Sequence, residues 1–320
     1  MLATVLSQEA GVKTFTEDEV KTRLDPKRLL TAIEEAFRIR YPHASIPLRT
    51  QMRLAESVFL IMPCYDRQNR VLGMKLVSVL DNPGTPEQKI QATYLVLDAT
   101  TGTAVASMSA AYLTDLRTAA ASAVATKYLA REDVRVLGIF GTGRQARSHL
   151  RVLRLVRNFE RFLVSGADHG QSREFAQEMA REFGAPVEAV YSRACASESD
   201  VLCTCTTAKV PLFDGHLLRP GTHLNCIGAF QPNTREVDSV TVLRSRVVVD
   251  TYEGAFAEAG DLLIPMTEGV ITRNHILADL HELLSRKKII RRNAQDITFF
   301  KSVGVALEDL AAAELVVSES

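Results

Sequence analysis

The chain has 320 residues, 46% of them hydrophobic, and its 38 basic and 38 acidic residues give a formal net charge of zero. This length predicts two domains, or one large domain, with ample apolar material for a core. The charge balance argues against nucleic acid or an anionic membrane as a partner. No stretch approaches the roughly 20 apolar residues of a membrane span, and the N-terminus shows no signal-peptide pattern.

The five cysteines do not have the spacing of a disulfide framework. This favours a reducing compartment, so we predict a cytoplasmic protein. Cys203 and Cys205 form a C-x-C pair, but a metal site needs two further ligands, which the pattern does not offer. We interpret both cysteines as small residues of a strand and predict no metal site.

The first 115 or so residues are predicted to be β-rich with a few helices. Thr16 and Glu19 have the spacing of a capping box, which predicts a helix start, and a second helix is expected at 26–39. Strands are predicted at 58–62, 72–79 and 92–98, and turn residues separate them at 66–69, 81–84 and 100–102.

An alanine-rich helix at 113–130 is predicted to lead into a second domain. From residue 134 onward, predicted strands alternate with helices, notably at 146–156 and 172–183. The strands are expected at 134–140, 162–165, 187–189, 201–206, 223–227 and 246–250. This alternation predicts an α/β fold with a doubly wound parallel sheet, and a last helix is expected at about 302–313.

A glycine-rich turn follows the first strand of this second region. It reads Gly141, Thr142, Gly143, Arg144, Gln145 and Ala146, and it matches the G-x-G-x-x-G/A pattern of dinucleotide-binding folds. Gly141 permits a tight turn, Gly143 allows the backbone to approach a pyrophosphate, and Ala146 lets the helix pack closely on the sheet. The helix N-terminus offers free N–H groups to the phosphates. We therefore predict that these six residues bind a nicotinamide or a flavin dinucleotide.

The adenosine side of this site gives a weaker signal. NAD-specific folds usually place a carboxylate about 20 or more residues after the first glycine, but Gly166 stands there and Asp168 follows it. Ser165 and Asp168 are predicted to lie beside the adenosine ribose. Because no acid ends this strand, the sequence favours NADP over NAD.

Three cationic residues of the first region are candidates for substrate binding: Arg49, Lys75 and Arg117. Two arginines can hold a carboxylate through bidentate hydrogen bonds. Lys75 lies within an apolar run, where burial would lower its pKa and allow proton exchange near neutral pH. The alternative from spacing alone is two surface arginines and a lysine at a strand edge.

Several motifs stand in a fixed order along the chain. They are Pro47-Leu-Arg-Thr50, Gly73-Met-Lys75, Asp81-Asn-Pro83, the ten residues from 113 to 122, the glycine turn, Gly228, and the ten residues from 300 to 309. Together they closely resemble the ornithine cyclodeaminase/μ-crystallin family, over residues 40–313.

The resemblance implies a homodimer that binds NAD(H) or NADP(H) and acts on a small amino acid, its imine or its 2-oxo counterpart. It implies a Rossmann domain and a β-rich α+β domain for dimerisation and substrate binding. We place the Rossmann domain at 116–299 and the other domain at 1–115 and 300–320. Arg49 and Arg117 would hold the substrate carboxylate, Lys75 would be catalytic, and Thr204 and Thr206 would lie beside the nicotinamide.

Two positions depart from the family pattern. Phe230, which we group with the cofactor-binding residues, stands where cyclodeaminases carry an aspartate, and a phenyl ring cannot bind an ammonium group through ionic hydrogen bonds. Ser109-Ala110 replaces the usual Asp-Gly, for which we have no physical explanation.

We therefore predict an NAD(P)H-dependent reductase that converts a small imino acid to an L-amino acid. Its substrate would be a cyclic ketimine, such as pyrroline-2-carboxylate or piperideine-2-carboxylate, or an imine of a 2-oxo acid and an amine. The alternatives are an ornithine cyclodeaminase, an amino-acid dehydrogenase similar to alanine dehydrogenase, and a non-catalytic NADP-binding protein.

Overall fold

The computed structural model describes residues 11–80 and 90–318. The described residues fall into two units, one within Met1–Arg117 and Val305–Ser320 and the other within Thr118–Gly304. No helix of the described ranges is long and apolar enough to cross a membrane. The turn predicted at 81–84 lies outside the described residues.

The strands of the first unit are β1 (Lys13–Phe15), β2 (Ala44–Ser45), β3 (Thr50–Arg53), β4 (Ser57–Asp66), β5 (Val71–Leu80), β6 (Ile90–Asp98) and β7 (Ala104–Ser109). They form a sheet in the order β1-β7-β6-β5-β4-β2, with β3 also paired to β4. All neighbours are antiparallel except β1 and β7. The β-rich first region that we predicted is confirmed.

The helices of the first unit are α1 (Glu17–Arg23), α2 (Pro26–Glu35), the start of α3 (Ala111–Leu129), and α11 (Ala306–Ser318). The predicted capping box of Thr16 and Glu19 is present at the start of α1. The helix expected at 26–39 changes to a π-helical turn at Ala36–Arg40. Helix α11 packs against α2, β4, β5 and β6, which brings its first turn to the middle of the sheet.

The second unit contains β8 (Val136–Phe140), β9 (Arg161–Ser165), β10 (Val187–Ala189), β11 (Val201–Thr204), β12 (His223–Cys226), β13 (Ser245–Val249), β14 (Ile276–Asp279) and β15 (Ile297–Lys301). Its sheet has the order β10-β9-β8-β11-β12-β15-β13-β14, and every pair is parallel. The order reverses at β8, which pairs with β9 on one side and β11 on the other. The doubly wound α/β fold is therefore confirmed.

Helices connect these strands. They are α4 (Arg144–Leu153), α5 (His169–Phe183), α6 (Ser192–Glu198), α7 (Ser239–Leu243), α8 (Tyr252–Glu258), α9 (Gly260–Thr267) and α10 (Leu280–Leu284). The core of the unit is formed by buried apolar strand residues such as Leu163, Leu202, Leu224, Val247 and Phe299.

The end of the second unit differs from the prediction. We placed the return of the chain at residue 300, but β15 pairs with β12 and β13, so the second unit extends to Gly304. The last helix begins at Ala306 and not at 302. Ser302, Val303 and Gly304 instead donate hydrogen bonds to Asp250 Oδ2, and the positive φ of Gly304, +88°, breaks the helical path.

Candidate active site

Lys75 lies on the buried face of β5. Side chains of a strand alternate between its two faces, and Val71, Gly73, Lys75 and Val77 share the buried one. Lys75 is 1% exposed, and its Nζ donates to Asp309 Oδ1 at 2.9 Å. A buried ammonium group needs a counter-charge, and Asp309 in the first turn of α11 supplies it.

Arg117 lies on α3 and binds the same carboxylate. Its Nε donates to Asp309 Oδ1 at 2.9 Å and its Nη1 donates to Glu308 Oε2 at 2.6 Å. Arg117 is 5% exposed and both acids are fully buried. Because a guanidinium carries five N–H donors, these two bonds fix its orientation without using all of its donors.

The position of Lys75 changes its protonation. Burial lowers the pKa of Lys75 most, the positive charge of Arg117 lowers it further, and Asp309 opposes both, with a resulting pKa of about 8. For Arg117, burial also lowers the pKa, but the charges of Asp309 and Glu308 outweigh burial and raise it above its usual value. Arg117 therefore stays charged, while Lys75 exchanges its proton in the physiological range.

Arg49 lies in the irregular segment between β2 and β3 and is half-buried. Its positive charge also lowers the pKa of Lys75. The structure thus brings Arg49 and Arg117 within electrostatic reach of Lys75. Their roles toward a substrate remain predictions.

The glycine beside Lys75 has a steric reason. Tyr94 lies opposite Lys75 in the pairing of β5 with β6, and a Cβ on Gly73 would collide with the Tyr94 hydroxyl. Tyr94 is fully buried. Glycine at position 73 therefore lets this ring pack directly against the strand that carries Lys75.

The glycine turn of the second unit has a tight first glycine and an open backbone at the start of α4. Gly141 has φ +111°, and a Cβ there would lie 2.6 Å from the carbonyl oxygen of Cys205. A Cβ on Gly143 would meet open space, and Gly143 is the N-cap of α4 without a side-chain capping hydrogen bond. The first N–H groups of α4 therefore start at an open backbone surface, which suits a phosphate. Ala146 is fully buried.

The predicted adenosine side lies at the end of β9. Ser165 is its last residue and is buried, whereas Asp168 is exposed. Asp168 Oδ1 accepts the N–H of Gln171 at 2.7 Å and caps α5. Beside it, the rings of His169 and Tyr191 stack with centroids 4.6 Å apart, a pair that the sequence analysis did not identify.

The strand predicted at 201–206 ends at Thr204, so Thr206 lies just beyond β11. The hydroxyls of Thr204 and Thr206 both donate to the carboxylate of Glu236. Phe230 follows β12 and packs against the apolar core of the unit. Sequence reasoning did not identify Glu236, Glu308 or Asp309. Only the last two had a signal, since they belong to the family-like motif at 300–309.

A model of the ornithine cyclodeaminase/mu-crystallin family matches residues 9–320. The chain belongs to this family. The resemblance that we drew from the motifs is therefore confirmed over nearly the whole length of the protein.

Relatives and solved structures agree with this assignment. A Delta(1)-pyrroline-2-carboxylate reductase of Bacillus cereus is 36% identical over 274 residues, which cover 84% of each chain. The structure of the Thermococcus litoralis Delta(1)-pyrroline-2-carboxylate reductase in complex with NADH and L-proline has a TM-score of 0.91 and 37% identity, covering 96% of this chain and 97% of that chain. An archaeal alanine dehydrogenase dimer with bound NAD has a TM-score of 0.89 and 29% identity, covering 96% of this chain and 95% of that chain.

Proposed function

We propose that this NAD(P)-dependent oxidoreductase reduces a small imino acid to an L-amino acid. The proposed substrates are cyclic ketimines such as pyrroline-2-carboxylate and piperideine-2-carboxylate, followed by imines of a 2-oxo acid and an amine. Similarity to pyrroline-2-carboxylate reductases over most of the chain supports this substrate class. Phe230, in place of an aspartate, argues against cyclodeamination.

The observation that carries the proposal is the shared hydrogen bonding of Lys75 and Arg117 to Asp309. One carboxylate oxygen accepts from both cations, so the ammonium and the guanidinium are held side by side. Lys75 is buried, with a pKa of about 8, so it is mostly protonated at neutral pH and still able to release its proton.

In the proposed reaction, Arg49 and Arg117 bind the substrate carboxylate and fix the direction of its C=N bond. A nicotinamide cofactor whose pyrophosphate is held by the turn from Gly141 to Ala146 would supply the hydride that the imine carbon receives. Lys75 holds a proton at the imine nitrogen, so the carbon becomes a better hydride acceptor and the nitrogen ends as an amine. Such proton management contributes about 10²–10⁴-fold to a rate, and Lys75 regains its proton from solvent.

A reductase assay tests the proposal. Purified protein is incubated with NADH or NADPH and each imine, and the absorbance of the reduced cofactor is followed while chiral chromatography identifies the product. We expect L-proline from pyrroline-2-carboxylate. No turnover on any imine would refute the proposal. Ammonia release from L-ornithine with catalytic NAD⁺ would instead indicate a cyclodeaminase, and tight cofactor binding without turnover would indicate a binding protein.

We further infer a preference for NADPH, a homodimer and a cytoplasmic location. No acid ends β9, and the one nearby, Asp168, caps α5, which supports the cofactor preference; KM values for both cofactors test it. The dimer named for the archaeal alanine dehydrogenase supports a homodimer, which light scattering tests.

The cysteines are free thiols, as is usual in a reducing compartment, and this supports the cytoplasmic location. The first unit would bind substrate and dimerise, and the second would bind the cofactor.

A further inference from the structure

One buried carboxylate of the second unit receives hydrogen bonds from two loops. Glu236 lies in the irregular segment between β12 and α7 and is fully buried. Its donors are Thr204 Oγ1 at 2.7 Å, Thr206 N and Oγ1 at 2.7 Å each, Gly228 N at 2.8 Å and Ala229 N at 3.3 Å. Glu236 therefore accepts hydrogen bonds from the end of β11 and the loop after it, and also from the loop after β12.

The two loops that Glu236 joins lie at the edge of the sheet where a ligand is expected. In an open parallel sheet, ligands bind outside the carboxyl ends of the strands, near the point where the strand order reverses. β11 pairs directly with β8, the strand that leads into the glycine turn, and β12 pairs with β11. The loops that Glu236 joins are thus the two that follow the glycine turn along this edge.

The loops also pack too closely for a larger residue at position 228. A Cβ on Gly228 would collide with the carbonyl oxygen of Thr206 and with Oε1 of Glu236. The glycine therefore permits the two loops and the carboxylate to meet. This explains in physical terms why glycine stands in the motif that we singled out from the sequence.

The five donors favour the ionised form of Glu236, and burial opposes it. Burial and the charge of Asp261 raise the pKa of Glu236 above its usual value, and Lys301 and the hydroxyls of Thr204 and Thr206 offset only part of that rise. Three of its donors are backbone N–H groups, which cannot accept a proton, and they lie on both carboxylate oxygens. A protonated carboxyl would lose acceptor capacity where donors are already placed.

A counter-charge comes from β15, the last strand in chain order, which lies between β12 and β13 in the sheet. Lys301 is buried and forms an ion pair with Asp261 at 2.8 Å, and it donates to the carbonyl of Ala229 at 2.6 Å. Asp261 accepts the N–H of Glu236 at 2.7 Å. The charges of Asp261 and Glu236 outweigh burial and raise the pKa of Lys301. Lys301 therefore stays protonated, and its single positive charge offsets part of the negative charge of Asp261 and Glu236.

We infer that Glu236 is a positioning residue that fixes the loops after β11 and β12 for the nicotinamide end of the cofactor. This inference rests on the proposed function, because it takes that edge of the sheet as the cofactor site. When a loop is already ordered before the ligand binds, binding does not include the entropic cost of ordering that loop, and the affinity is higher. Glu236 thus contributes to nicotinamide binding without touching the pyrophosphate turn.

The variant Glu236→Gln tests this inference. The amide keeps the shape of the side chain but places an NH₂ group on one side, where it faces either Thr206 N or Gly228 N, donor against donor. We expect the Kd for NADH to rise about tenfold or more, while the Kd for ADP-ribose, which lacks the nicotinamide, stays within about twofold. We also expect the fluorescence of bound NADH to shift toward that of NADH in water, a readout that needs no turnover.

A matched control is Asp200→Asn. Asp200 also accepts backbone N–H groups from a second segment, those of Arg135 and Val136, but it precedes β11 and lies at the opposite edge of the sheet. Its substitution should lower thermal stability and leave both ligand affinities unchanged. If Glu236→Gln fails to fold, Glu236→Asp keeps the negative charge but shortens the side chain, so it cannot reach all of the donors, and it should show the same selective loss to a smaller degree.

Equal weakening of NADH and ADP-ribose by Glu236→Gln would refute the inference, since it would indicate general damage to the fold. Unchanged affinity for both ligands would refute it as well. These results are separate from the reductase assay, because cofactor affinities are measurable whether or not an imine is reduced. A wild-type protein that reduces no imine but shows the selective loss would refute only the proposed function.

Discussion

Replacing Asp309 by asparagine is the most direct test of how the first unit controls Lys75. The substitution keeps the shape of the side chain and removes the negative charge that lies 2.9 Å from Lys75 Nζ. An opposite charge at such a distance typically shifts a pKa by about 1–3. The charge and hydrogen bond of Asp309 raise the pKa of Lys75, whereas burial, Arg117 and Arg49 lower it, so removal of the Asp309 charge should lower that pKa.

A lower pKa of Lys75 should reduce activity at alkaline pH. If Lys75 must carry a proton, kcat/KM falls as the pH rises through its pKa in the free enzyme, about 8 in the wild type. A decrease of one in that pKa would leave about one tenth of the lysine protonated at pH 8 instead of one half. We therefore expect kcat/KM at pH 8 to drop about fivefold, with a smaller loss at pH 6.

The assay is the pH profile of kcat/KM for pyrroline-2-carboxylate in wild type and variant. The ionisation of the substrate is common to both profiles, so the difference between them belongs to the enzyme. Glu308→Gln is the matched control, because Glu308 binds Arg117 at Nη1 and should leave the alkaline limb in place. Removing one partner of a buried pair costs about 3–5 kcal/mol, so folding is checked by circular dichroism. An unchanged alkaline limb in folded Asp309→Asn would refute the reasoning.

Three further substitutions test other contacts. Lys75→Met should lower kcat about 10²–10⁴-fold with an unchanged Kd for NADH in fluorescence titration, and wild-type turnover would contradict our role for Lys75. Gly141→Ala should raise the Kd for NADH at least tenfold, since its Cβ would lie 2.6 Å from the Cys205 carbonyl oxygen at φ +111°; calorimetry measures this, and an unchanged Kd would be evidence against the turn. Gly73→Ala should lower the free energy of unfolding by about 1–3 kcal/mol through its collision with Tyr94, and an unchanged urea midpoint would contradict that packing.

The parts of the fold with a clear local pattern could be predicted from the sequence. The glycine turn and the apolar strands β8, β9 and β11 follow from local composition, because a strand buried on both faces is a continuous apolar run. β3 escaped prediction because its residues are all exposed, so no alternation marks it. β15 was missed because it ends in Lys301, whose charge is balanced by Asp261, a residue far away in sequence.

The candidate site was likewise only partly predictable, because its charged residues have partners that are far away in sequence. Lys75 was identifiable because a charge inside an apolar run needs a partner, and Arg49 and Arg117 because two arginines can hold a carboxylate, as the family resemblance also implied. The acidic partners of Lys75 and Arg117 were not identifiable. Asp309 lies 234 residues from Lys75, and only the packing of α11 on β5 brings the two together. Local sequence therefore predicts that a buried cation needs a partner and does not predict which acid it is.

Charge balance in the first unit bears on the kind of substrate that the proposed reaction accepts. Arg49, Lys75 and Arg117 carry three positive charges when protonated, and Glu308 and Asp309 carry two negative ones. The remaining positive charge is matched by one substrate carboxylate, so an imine with a second carboxylate would bring a charge that these five groups do not balance. A protonated imine adds a positive charge to the site, which is balanced if Lys75 loses its proton. Because the pKa of Lys75 is about 8, this loss costs little free energy near neutral pH. If the proposed function holds, we expect the lowered pKa of Lys75 to let the site accept either protonation state of a monocarboxylate imine, whereas a lysine with an ordinary pKa would favour the neutral imine.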